Sequence, residues 1–190
     1  MFASCNSEQD SNKFCYLGLE KFKTGDYGEA IKLYSKAFEL DSLNTEAIYM
    51  RGLSKGKLQD SKGAIIDYTI LIKLSPNDAE VYSNRANEKS NLLDYSDALI
   101  DYQTAIKLDS TKPNIYLNLG ALQMQLKKLD NAVASFTKTI QLNPNDGGAY
   151  YNRGIARVDL GFVDLACSDF KRALDLGIRE ATKDIQQNCK

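Results

Sequence analysis

Residues 79–112, AEVYSNRANEKSNLLDYSDALIDYQTAIKLDSTK, hold two helical patterns with a turn between them. In the first half Tyr82 and Ala86 stand one helical turn apart; in the second, Ala98, Tyr102, Ala105 and Ile106 keep to one helix face. Between them, Leu93-Asp94-Tyr95-Ser96-Asp97 supplies polar residues that reverse the chain and cap the second helix. Outward from this stretch the plan recurs. Ala98 is matched by Ala30, Ala64, Ala132 and Ala166, and four positions on stand Tyr34, Tyr68, Tyr102, Phe136 and Phe170. A large residue (Phe14, Ile48, Tyr82, Tyr116, Tyr150) and then a small one (Gly18, Gly52, Ala86, Gly120, Gly154) keep the same 34-residue count. Ser75-Pro76-Asn77-Asp78 and Asn143-Pro144-Asn145-Asp146 close two of the copies, because the residue before a proline leaves helical geometry and an Asp after it caps the next helix. A fixed period signifies one structural unit, copied and stacked.

These positions resemble the tetratricopeptide repeat from about Ser11 to Glu180. The resemblance implies an all-α fold, a right-handed α-α superhelix of helical hairpins, with units 11–44, 45–78, 79–112, 113–146 and 147–180. Residues 1–10 read as a disordered tail or tether outside the fold, and the chain as one continuous domain. After Gly177, residues 178–190 read as a further helix with Ala181, Ile185 and Cys189 on one face, of which 181–190 lies beyond the last unit and caps the stack. Within a hairpin the small residue of the first helix is expected to face the alanine of the second.

The resemblance also implies that the first helices line a concave groove of the kind this family uses for peptides. Tyr49, Leu53, Asn84, Asn87, Asn118, Ala121, Tyr151, Asn152 and Ile155 are the residues expected to point into it. Asn84, Asn118 and Asn152 hold the same place in consecutive units, and an amide both donates and accepts hydrogen bonds, so a ladder of them suits a peptide backbone. A solvated face and local helix contacts are the competing uses. The family's clamp for an acidic chaperone tail is expected to be absent, since its basic positions hold Ser83, Gly148 and Asn152.

The remainder of the composition narrows the function. Histidine is absent, which removes the commonest general base and transition-metal ligand; no Gly-rich phosphate loop or metal cluster replaces it, and the chain reads as no enzyme, with no cofactor. Formal net charge is -1 with Lys and Arg spread through every copy, which argues against nucleic acid as a partner. No apolar run approaches the roughly 20 residues of a membrane span. The expected function is a protein-interaction scaffold for a peptide or extended protein segment; the alternative is structural self-association through the stack ends or the convex face.

The four cysteines, Cys5, Cys15, Cys167 and Cys189, form no metal-binding spacing. Cys167 is expected on a buried stripe of the fifth unit, and Cys167 with Cys189 is either a pair of free thiols or a bridge pinning the last helix. Phe2-Ala3-Ser4-Cys5 resembles the end of a bacterial lipoprotein cleavage box, which would make Cys5 a lipid attachment and its only link to a membrane; the other reading is a plain N-terminus. Localisation accordingly divides between a bacterial cell envelope, lipid-anchored or periplasmic, and the cytoplasm.

One pairing is visible inside the chain. Copies with Arg51, Arg85 and Arg153 carry Asp67, Asp101 and Asp169 sixteen residues later, while Leu17 goes with Leu33 and Leu119 with Ser135. This predicts an ion pair between the two helices of a hairpin, because a partly buried guanidinium needs a carboxylate.

Overall fold

The computed structural model describes the backbone of residues 2–189 and the side chains of residues 8–189. Among the described residues the regular structure is all α-helical: α1 (Phe2–Lys23), α2 (Tyr27–Leu40), α3 (Thr45–Lys57), α4 (Ser61–Leu74), α5 (Ala79–Asn91), α6 (Tyr95–Leu108), α7 (Pro113–Gln125), α8 (Leu129–Leu142), α9 (Gly147–Asp159), α10 (Val163–Asp175) and α11 (Ala181–Asn188). The first ten pack pairwise as hairpins. The chain groups into two compact units, Met1–Leu108 with three hairpins and Asp109–Lys190 with two hairpins and α11. Within the first, α2 packs on α3 and α4 on α5; within the second, α8 packs on α9 and α10 on α11. No helix among the described residues is long and apolar enough to cross a membrane.

Local chemistry explains the boundaries. Asp26, Asn44, Asp60, Asp78 and Asp146 each accept the backbone N–H of Glu29, Ala47, Gly63, Val81 or Ala149, satisfying one of the orphan donors at a helix start. Pro113 opens α7, where its missing N–H is no loss. The five turns inside the hairpins all use a left-handed residue: Gly25 at φ 80°, Gln59 at 62°, Leu93 at 64°, Lys127 at 58° and Gly161 at 82°. The next N–H then bonds back to the helix, as Asp60 does to the Lys55 carbonyl at 2.9 Å and Asp94 to Lys89 at 2.9 Å.

In each hairpin the aromatic of the second helix is fully buried: Tyr34, Tyr68, Tyr102, Phe136 and Phe170. A Cβ placed on Gly18 would lie 2.7 Å from Tyr34 Cε1, and one on Gly120 or Gly154 2.6 Å from Phe136 or Phe170. A ring of the second helix thus lies directly against each of these glycines, and a side chain there would collide with it.

The Arg to Asp pairs form as expected. Arg51, Arg85 and Arg153 reach Asp67, Asp101 and Asp169 at 2.7, 2.8 and 2.7 Å, with a second guanidinium hydrogen bond from each Nε. A second cation, one turn on, joins each carboxylate: Lys55 at 2.7 Å, Lys89 at 2.8 Å and Arg157 at 2.7 Å. Arg85 and Arg153 also donate to Thr69 and Thr137 of the preceding hairpin, so one side chain ties two hairpins together. The fourth hairpin substitutes a neutral contact, Ser135 donating to Gln123 at 2.7 Å.

Both ends depart from the expectation. The tail assigned to 1–10 runs as helix from Phe2, since neither Gly nor Pro interrupts residues 2–17. Ser11 anchors it, donating to the Ala37 carbonyl at 2.9 Å. The side chain of Cys5, the lipidation candidate, lies outside the described residues. At the other end α11 starts at Ala181 instead of 178, because Gly177, at φ 94°, turns the chain and the Ile178 N–H bonds back to Ala173. Ile178, Ala181, Ile185 and Cys189 pack on Ala166, Phe170 and Ala173. Cys167 and Cys189 are joined by a disulfide; Cys167 is half-buried, not buried, because it faces the chain end that it binds.

Candidate functional site

The residues expected to face a ligand lie on the first helices of their hairpins, α3, α5, α7 and α9, and their surroundings differ between the two units. In the first unit Tyr49 projects from α3 toward α5. Its hydroxyl donates to Glu80 at 2.6 Å and accepts from the Asn84 amide at 3.1 Å, while its ring packs against Tyr68 with centroids 6.3 Å apart. Burial first, then the Glu80 carboxylate, push the Tyr49 phenol well above its ordinary range. The Tyr102 hydroxyl donates to the Asn87 side chain. Asn84 and Asn87 therefore already have partners inside the protein, the local helix contact that competed with ligand binding. Leu53 is half-buried beside them.

Between the second and third hairpins lies a cleft of about 220 Å³ lined by Thr45, Glu46, Tyr49, Leu71, Ser75, Asp78 and Val81. Leu71 and Val81 are buried and give it an apolar floor. Two carboxylates, Glu46 and Asp78, stand on its walls and no basic residue does. Glu46 is felt by its neighbours: with burial as the larger cause, it raises the Cys15 thiol to about 11.

In the second unit Asn118 on α7 and Asn152 on α9 are half-buried and, among the described residues, make no side-chain hydrogen bond. These two helices touch, and the amides hold equivalent places one period apart. Ala121 is exposed and Leu117 half-buried next to Asn118. Tyr151 and Ile155 sit at the edge of the cluster under α11, and the Tyr151 hydroxyl donates to Asp184 at 3.0 Å. That phenol too is raised, by burial and then by Asp184.

The carboxylate partners Glu80 and Asp184 and the second cation on each buried Asp were missed from sequence. Lys55, Lys89 and Arg157 do recur at one position of the period, but Lys21 stands there too, in a copy without the Arg to Asp pair, and hides the link. Glu80 and Asp184 lie at different offsets from their tyrosines and leave no such mark. Among the described residues no group of three His, Cys, Asp or Glu side chains is placed to hold a metal.

Models of the tetratricopeptide repeat match residues 15–42, 46–78 and 113–146, and a further TPR repeat model matches 94–127. Among proteins with curated descriptions, none matches significantly. Solved structures do. A crystal structure of MamA is 27% identical with a TM-score of 0.76, over 87% of this chain and 96% of that one. YrrB, described as a TPR protein with an unusual peptide-binding site, is 18% identical with a TM-score of 0.70, over 92% and 90%. The pilF protein of Pseudomonas aeruginosa is 20% identical with a TM-score of 0.80, over 90% and 78%. The last two likenesses, below a quarter identity, bear on the fold alone.

Proposed function

The chain belongs to the tetratricopeptide repeat family, and from that premise we propose that it is a protein-interaction scaffold, without catalysis of its own, that holds an extended peptide or protein segment along the face of its first helices. The observation that carries this is the pair of amides, Asn118 and Asn152. Half-buried polar groups without a protein partner favour a ligand that supplies one. Each amide can take a peptide N–H and C=O together, and Leu117 and Ala121 beside them offer apolar contact to side chains. The first unit has a place of its own, the cleft beside Tyr49, which suits one side chain of a peptide and whose carboxylate walls favour a basic one. YrrB's peptide-binding description is a precedent for this use of the fold.

The competing reading is self-association. It draws on Ile66 and Ile100, which are 60% and 58% exposed at the same position of α4 and α6.

Selection of peptides from a random displayed library, followed by calorimetry on the best binder, tests the proposal. Replacing both amides, Asn118→Ala with Asn152→Ala, should weaken binding about tenfold or more, since each lost hydrogen bond is worth about 0.5–1.5 kcal/mol. The melting temperature should not move. A library that yields no binder, or unchanged affinity in the double variant, removes the groove; light scattering on the same samples then shows whether a dimer takes its place.

A further inference from the structure

We propose that the Cys167–Cys189 disulfide is a redox-operated latch, which a dithiol opens, so that α11 leaves the end of the second unit and frees Tyr151. The proposal starts from where the bond lies. It borders an open hollow of about 380 Å³ whose other walls are Val163, Asp164, Ser168, Lys171 and Asn188. Both cysteines are half-buried and both line this hollow, which gives an incoming thiol a side from which to approach the bond without prior unfolding. Lys171 on the rim offsets Asp164 and lets a thiolate approach. Cys15, the free thiol among the described residues, is by contrast buried in the core of the first unit.

What the latch holds is slight. α11 spans Ala181–Asn188, and Glu180 at its start makes no side-chain capping bond. A helix of that length does not persist in water by itself. Its remaining attachments are Ala181 and Ile185 on the Phe170 cluster and the single hydrogen bond from Tyr151 to Asp184.

What it covers is a seat for a helix. In the first unit, Tyr68 and Leu71 of α4 are covered by Val81 of the following hairpin, and Tyr49 ties the two through Glu80. In the second unit α11 takes that following place: Phe170 and Ala173 lie under it, and Tyr151 ties it through Asp184. A removable helix thus occupies the site where a further first helix would dock.

The chemistry balances. A thiolate of the dithiol bonds to one cysteine sulfur and the other leaves as thiolate. The reductant's second thiol then displaces the first cysteine, giving two protein thiols and an oxidised, disulfide form of the reductant, with two electrons and two protons transferred.

Hydrogen exchange with mass spectrometry on the full chain, oxidised and treated with dithiothreitol at neutral pH, tests this independently of any peptide binding. On reduction, amide exchange in 181–188 should rise by about tenfold or more while α9 and α10 keep their protection. Cys167→Ser with Cys189→Ser should show the reduced pattern without reductant. Unchanged protection of α11 once both thiols are free means that packing alone holds the helix. Reduction that occurs only when α9 and α10 also exchange means that the bond is a staple reached by unfolding. Either result overturns the latch.

Discussion

Asp101 is held by two cations at once, Arg85 and Lys89, in a setting where its side chain is 4% exposed. Replacing it with alanine leaves the Arg85 guanidinium without its carboxylate and Lys89 with Asp97 at 3.8 Å, and a buried charge that loses its counter-charge costs about 3–5 kcal/mol. The protein itself supplies the control. Its fourth hairpin does without the ions, placing Leu119, Gln123 and Ser135 at the corresponding positions. Copying that solution, Arg85→Leu with Lys89→Gln and Asp101→Ser, should therefore cost less in urea unfolding than Asp101→Ala alone. A triple variant less stable than the single one would show that the charges contribute net stability and are not merely tolerated. The Arg to Asp half of this network was legible in the sequence because it varied between copies, present on both helices or on neither. The lysine half was masked by Lys21, which keeps its place in a hairpin with Leu17 and Leu33 and no aspartate to meet. The bond of Tyr49 to Glu80 was not legible at all, since it joins neighbouring hairpins at a spacing the chain does not repeat.

Helices and turns show a different division. The ten hairpin helices follow from the apolar period, because that period is what buries one stripe of each helix against the next. The conformation of the turns does not follow, because the left-handed position is filled by glycine in two hairpins and by Gln59, Leu93 and Lys127 in the other three. Nothing about leucine announces positive φ; the turn adopts it because the hydrogen bond from Asp94 to Lys89 closes only that way. Leu93 is moreover 66% exposed, so it gains little packing in return. Leu93→Gly is thus expected to stabilise by about 0.5–1 kcal/mol, the relief of left-handed strain less the added freedom of glycine when unfolded. Gly161→Leu should do the opposite. Denaturation midpoints check both, and a loss of stability in Leu93→Gly would mean that its side chain makes contacts worth more than the strain. Likewise α1 extends to Phe2 because no residue stops it, which a search for repeat positions does not register.

Across the whole molecule the period runs on unbroken past Leu108, where the chain divides into its two compact units, so residue spacing carries no signal for that boundary. The units differ in one chemical respect that the sequence does show: the buried rings are Tyr34, Tyr68 and Tyr102 in the first and Phe136 and Phe170 in the second. Burial raises all three phenols above the value of about 10 that an unfolded chain gives them. It also raises Cys15 to about 11, from about 8.5 when free. A group whose pKa is higher in the fold keeps its proton there, so unfolding in alkali releases protons and stability falls as pH rises. The contribution of Cys15 is complete below about pH 8.5 and gone by about 11, and that of the tyrosines begins to fall near pH 10. The melting temperature should therefore be flat near neutrality and fall above about pH 9, with the first cuts of limited proteolysis in Met1–Leu108. Tyr34→Phe, Tyr68→Phe and Tyr102→Phe together, the choice already made in the second unit, should flatten that fall without abolishing it, since Cys15 and Tyr49 remain. Tyr34→Phe alone should not destabilise at neutral pH, because the Tyr34 hydroxyl is buried with no hydrogen-bond partner among the described residues. An equally steep fall in the triple variant, or first cuts in the second unit, would place the alkaline weakness outside these rings.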